Sequence, residues 1–265
     1  MVLIINNHLF SSLIIYFHKS SSMQTLNLIL PTCWQELTPA QLRYAFYLLA
    51  QEFTAAEIKT YALVRWAPLT QVEKTDDGLF CHFEGKPCFI TSEQIAAAIK
   101  HLDWLEKLPL VPVRLPSIGK LQPVEADLSG ITFEAFLILE NLYQGYLVTK
   151  DQALLSEMAA YLYQSPKPME LTPEEAISIF YWYASAKQLL ARRYHNFFVN
   201  SEAEADTTAM QERLQQSMNN QIRALTKGDI TKEKEVLAMD VHRALVELDA
   251  QAREYEELKK ETAKP

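Results

Sequence analysis

Leu42, Phe46, Leu49 and Phe53 recur at steps of four, three and four, the apolar stripe of an amphipathic helix. Thr38 followed by Pro39 supplies an N-cap and a proline at the first helical position, so the helix is expected to open there. Ahead of it, 24–30 is a short β-prone run closed by Pro31. A second helix is expected over about 54–66, stopping before Pro68 because the residue preceding a proline is pushed out of helical geometry.

The period then shortens. Turn clusters at Asp76-Asp77-Gly78 and Glu84-Gly85-Lys86-Pro87 bracket Leu79–Phe83 and precede Cys88-Phe89-Ile90, which predicts an antiparallel β-hairpin or three-stranded meander at about 79–90. Thr91-Ser92-Glu93 opens a helix carrying Ile95, Ile99 and Leu102 on one face, ending before Pro109. Pro109, Pro112, Pro116 and Pro123 exclude one regular element over 108–129, since each removes a backbone donor. This stretch is expected to be an extended connector lying on the surface, and a place where a partner could bind.

Further helices are expected over about 132–146, 150–163 and 172–198. Bulky side chains surround the third from Ile177 to Tyr183, which marks a buried central helix rather than an aromatic ligand box. The acidic stretch 201–208 reads as a hinge before a C-terminal helical arm, 201–265. In that arm one long helix is expected over about 231–260. Leu237, Val241, Ala244, Leu248, Ala252 and Tyr255 take five steps to cross 18 residues, the period of a straight docked helix rather than a coiled coil. Leu237, Val241, Leu248 and Tyr255 are the candidate partner-binding residues. The stripe leaves open whether it covers its own core or a partner.

Residues 1–22 are apolar but interrupted at Asn6 to His8 and at Ser11 and Ser12. Their longest apolar run, Leu13 to Phe17, is far below the roughly 20 residues that span a bilayer. Lys19 follows the apolar stretch, whereas a secretory signal carries its basic residue ahead. The expectation is a non-native leader translated from a mis-called start codon, with Met23 the natural start, or a disordered segment. Residues 23–200 form the expected helical core.

Composition changes the picture chiefly by exclusion. Six glycines among 265 residues, none spaced for G-x-G-x-x-G or a P-loop, remove those two routes to nucleotide binding. A net charge of −8 argues against a nucleic-acid partner, because phosphate backbones are held by clustered cations. Lys187, Arg192 and Arg193 are the one suggestive basic group, and the dipole of a helix C-terminus accounts for the two arginines. Cys33, Cys81 and Cys88 lack C-x-x-C spacing, and six scattered histidines supply no paired metal motif. Cys81 and Cys88 lie symmetrically about the Glu84-Gly85 turn and could face each other. Reduced thiols are the expected state, with a disulfide as the alternative. His82 should point to the face opposite Cys81. No nucleophile stands in a recognisable setting, so no catalytic, cofactor-binding or metal residue is nominated.

Three stretches carry a resemblance: Trp34-Gln-Glu-Leu-Thr-Pro-Ala-Gln-Leu42; Trp182-Tyr-Ala-Ser-Ala-Lys187 with Arg193-Tyr-His-Asn-Phe-Phe198; and Ile222 to Glu233 running into Arg243 to Asp249 and Ala252 to Glu256. Together they resemble uncharacterised proteins encoded in phage and prophage tail-gene clusters of gut anaerobes. The resemblance implies a tail-assembly factor, such as a chaperone for a tape-measure protein, with phage structural or tail proteins as partners and no catalytic residues. The expectation is therefore a mainly α protein with a small antiparallel β element and a long C-terminal helix. It would be a non-enzymatic assembly or adaptor protein in the cytoplasm of a bacterial host, without cofactor, nucleic acid or membrane. Two alternatives stand beside it: an enzyme whose site is dispersed in sequence, and a DNA-associated regulator.

Overall fold

The computed structural model describes residues 12–19, 22–199 and 210–262. The hinge expected at 201–208 lies outside the described residues, as do 1–11 of the expected leader. The protein is mainly α with a small three-stranded antiparallel sheet, and the chain divides into two compact units. The first ends at Pro109 and adds Pro173–Ile177; the second comprises Leu110–Thr172 and Ser178 onward.

In the first unit, β1 (Ser12–Lys19) pairs antiparallel with β2 (Ser22–Ile29), so part of the segment set aside as a leader is a strand. A 3-10 turn at Trp34–Glu36 leads to α1 (Pro39–Leu49) and α2 (Ala55–Trp66). The meander β3 (Leu69–Thr75), β4 (Gly78–Phe83) and β5 (Lys86–Thr91) follows in sequential order. It passes directly into α3 (Ser92–Ile99) and a 3-10 extension over Lys100–Glu106.

Three helices start on the same local device. Thr38, Thr54 and Thr91 each accept the amide three residues on, while Gln41, Glu57 and Gln94 reach back to the cap amide. Each capping box satisfies two amides that the helix leaves unpaired. Glu84 and Gly85 both take positive φ, 51° and 76°, the geometry of a type I′ hairpin turn.

The stripe expected on α1 is shorter than its periodicity. The helix ends at Leu49, burying Leu42, Ala45, Phe46 and Leu48, and Phe53 lies beyond it against Tyr61, with ring centroids 5.0 Å apart. The core of this unit is aromatic. Trp34 stacks on Phe46 and meets Trp104 edge-on, and its indole N–H donates to the Lys107 carbonyl at 3.0 Å.

The second unit contains α4 (Phe133–Thr149), α5 (Gln152–Leu162), most of α6 (Pro173–Arg193), α7 (His195–Val199), α8 (Met210–Thr226), α9 (Glu233–Leu237) and α10 (Val241–Thr262). Lys150 in the left-handed region closes α4, and Asp151 caps α5 through the Ala153 amide. The segment read as an arm contributes α8, α9 and α10, of which α10 packs on α7, α8 and α4. Ile179, Trp182 and Tyr183 are almost fully buried, so α6 is the central helix its all-round apolar pattern predicts.

The proline-rich connector is irregular, yet Val113, Leu115, Ile118, Val124 and Leu128 are buried rather than lying on the surface. Two of its carbonyls are satisfied by buried aromatic donors: Tyr163 to Leu115 at 2.9 Å and Trp182 to Ala126 at 2.8 Å. That pairing is what permits an irregular backbone to lie inside a core.

The long helix expected over 231–260 is broken at Asp240. The Asp240 carboxylate accepts the His242 amide at 2.9 Å, capping α10. The Phe133 amide donates to Met239 O at 2.7 Å and the Val241 amide to Ile131 O at 3.1 Å, so tertiary hydrogen bonds replace helical ones at the break.

Candidate functional site

The sequence places one apolar stripe along α9 and α10, and the structure divides it. Leu237 is half-buried on α9, and Val241, Ala244, Leu245 and Leu248 on α10 are buried within the second unit. Two turns further on, Tyr255 is 64% exposed and Leu258 61% exposed. Leu248, Ala252, Tyr255 and Leu258 follow one helix face. The apolar pattern thus continues past the point where the unit's own packing covers it.

The uncovered part borders a groove of about 490 Å³. One wall is Leu248, Gln251, Ala252 and Tyr255 of α10; the other is Gln216, Ser217, Asn220, Gln221 and Ala224 of α8. These α8 positions also lie on one face, at steps of one, three, one and three. Phe197 of α7 completes the lining. Asp249 holds it in place, accepting the Phe197 amide at 3.1 Å and the Asn196 side-chain amide at 2.9 Å. None of the ten lining residues carries a charge at neutral pH. The groove offers an apolar floor edged by amides that both donate and accept, which suits an uncharged polypeptide surface. Gln221 donates to the Ser217 hydroxyl at 3.2 Å, and its buried side-chain oxygen has no hydrogen-bond partner in this structure.

Of the four candidate partner-binding residues, Leu248 and Tyr255 line the groove, Val241 is enclosed, and Leu237 sits on the separate α9. Sequence reasoning missed the α8 wall and Phe197. The paired positions 216/217 and 220/221 followed by 224 were the available signal, weak because all but Ala224 are polar.

Polar clusters elsewhere in this unit serve its packing. His242 Nδ1 lies 2.8 Å from the Tyr194 hydroxyl and 3.3 Å from the Arg193 guanidinium, while Nε2 lies 3.0 Å from the Asp127 backbone oxygen. Burial opposes ionisation of Asp127. The Ser129 hydroxyl and amide, with His242 and Arg193, outweigh it and hold the carboxyl below the usual range. Lys187 pairs with Glu140, which also accepts from Tyr183, and burial pushes the Tyr183 hydroxyl well up.

The three cations of the suggestive basic group are each engaged: Lys187 by Glu140, Arg192 by the Leu110 carbonyl, and Arg193 by Asp127 at 3.4 Å. His82 shares its face with Phe80, in edge contact, and so lies opposite Cys81 as expected. Among the described residues no group of three His, Cys, Asp or Glu could hold a metal, and no helix is long and apolar enough to cross a membrane.

Comparison with family models, with curated proteins and with solved structures found no match.

Proposed function

We propose that this protein is a non-enzymatic assembly or adaptor factor of a phage or prophage tail-building apparatus, working in the bacterial cytoplasm through protein–protein contacts. The occupant of the α8/α10 groove is an amphipathic helix of a tail protein, the tape-measure protein being the first to test. The observation that carries this reading is the continuation of the α10 stripe through exposed Tyr255 and Leu258, beyond the buried Leu248. The uncharged, amide-edged lining favours a helix with an apolar stripe and uncharged polar flanks over a charged small molecule or a nucleic acid. The choice of a tail protein rests on the resemblance of the 34–42, 182–198 and 222–256 stretches.

The test is binding between the full chain and a phage tape-measure protein, with Tyr255→Glu and Leu258→Glu introduced together. Two charges placed on the exposed face should weaken association by roughly tenfold or more, equivalent to about 1.4 kcal/mol, with the circular dichroism spectrum unchanged. Equal affinity for the variant and the parent, or no association by the parent, would overturn the proposal.

A further inference from the structure

Cys81 on β4 lies directly opposite Cys88 on β5, and their Sγ atoms are 2.9 Å apart. Both are free thiols, Cys81 fully buried and Cys88 half-buried. The strands that carry them are fixed in register. The two-residue Glu84-Gly85 turn sets the pairing from one end. At the other, Gly78 lies so close to β5 that a Cβ there would meet the Ile90 carbonyl oxygen at 2.1 Å. Opposite residues of an antiparallel pair have Cα atoms about 4.5–5.5 Å apart, inside the range that a disulfide spans. Closing the bond to about 2.05 Å therefore needs sulfur movement of under about 1 Å and no change of register.

We propose that Cys81 and Cys88 form a thiol–disulfide exchange site, oxidised by a low-molecular-weight disulfide and reduced again by the corresponding thiol. Exposure sets the order of events. Cys88 is the sulfur an outside molecule can reach, and its thiolate attacks one sulfur of the small disulfide, breaking that S–S bond and releasing one thiolate. The mixed disulfide on Cys88 then faces Cys81. In the free dithiol, burial, reinforced by the hydrogen bond and charge of Cys88, pushes the Cys81 thiol up to about 12, so Cys81 enters the exchange as the protonated partner. As Cys81 Sγ attacks Cys88 Sγ, its proton passes to the departing sulfur and a second small thiol leaves. Two protein thiols become one disulfide while one small disulfide becomes two thiols, which balances electrons and protons. The product joins residues 81 and 88 across the existing ladder and locks β4 to β5.

The test equilibrates the full chain with graded mixtures of oxidised and reduced glutathione, quenches with acid, alkylates and measures mass. As the oxidised fraction rises, the peptide containing both cysteines should lose two hydrogens and both of its alkylation sites, and excess reduced glutathione should restore them. Cys81→Ser should retain one glutathione on Cys88, whereas Cys88→Ser should leave Cys81 unmodified in the folded protein. Alkylation of both thiols at every ratio in the parent, or a glutathione that stays on Cys88 in the parent, would overturn the proposal. Both of those readings use the parent protein alone and stand whether or not either serine variant folds.

Discussion

Trp182 donates its indole N–H to the carbonyl oxygen of Ala126 at 2.8 Å, tying the central helix α6 to the proline-rich connector. The same ring meets Tyr163 edge-on at 5.9 Å, and Tyr163 donates to Leu115 O further back along the connector. Two buried aromatics thus hold an irregular segment that has few regular backbone hydrogen bonds of its own.

Trp182→Phe should leave the Ala126 carbonyl unpaired and open a gap beside Tyr163. The expected cost is about 2–4 kcal/mol, read from urea denaturation. Tyr163→Phe keeps the ring and loses the hydroxyl's bond to Leu115, so it should cost about 1–3 kcal/mol.

Along α10 the stripe should behave differently at its two ends. Leu248→Ala removes a side chain only 4% exposed and should cost about 2–5 kcal/mol. Tyr255→Ala, at a position 64% exposed, should change stability by no more than about 0.5 kcal/mol. Chemical denaturation of the two variants side by side checks the contrast.

Asp127 sets an acid-side dependence. Its carboxyl is held low in the folded chain, so its contribution to stability is present above the unfolded value of about 3.9 and is lost as pH falls through the folded-state value. Asp127→Asn should lower stability at neutral pH and flatten part of the loss on acidification. Thermal melts between about pH 2 and pH 7 measure both effects.

Gly78→Ala places a methyl group 2.1 Å from the Ile90 carbonyl oxygen, backbone that cannot yield without parting β4 from β5. The expected loss is about 1–3 kcal/mol, comparable with overpacking a core, and Gly85→Ala, which meets no atom within 4 Å, should cost less. Hydrogen exchange at the β4 and β5 amides would show whether the loss falls on the sheet.

Elements whose causes are local are legible in the chain before it folds. Thr38 and Pro39, Thr91 with Gln94, and Glu84-Gly85 mark starts and turns because the groups that satisfy the backbone there lie within four residues. The all-round apolar character of Ile177 to Tyr183 likewise announced a buried helix, and the symmetry of Cys81 and Cys88 about their turn announced their facing positions.

The buried connector, the break at Asp240 and the groove arise from contacts between elements distant in sequence. Proline spacing says that 108–129 is irregular, but its burial depends on Tyr163 and Trp182, which lie dozens of residues away. Helical periodicity runs straight through Asp240, and hydrogen bonds from Phe133 and to Ile131 interrupt it. The groove joins a polar face of α8 to the end of an apolar stripe on α10, with Phe197 held between them by Asp249. Periodicity reports which face of one helix is apolar. Whether that face is covered depends on elements distant in sequence, and that is why Leu248 is buried and Tyr255 is not.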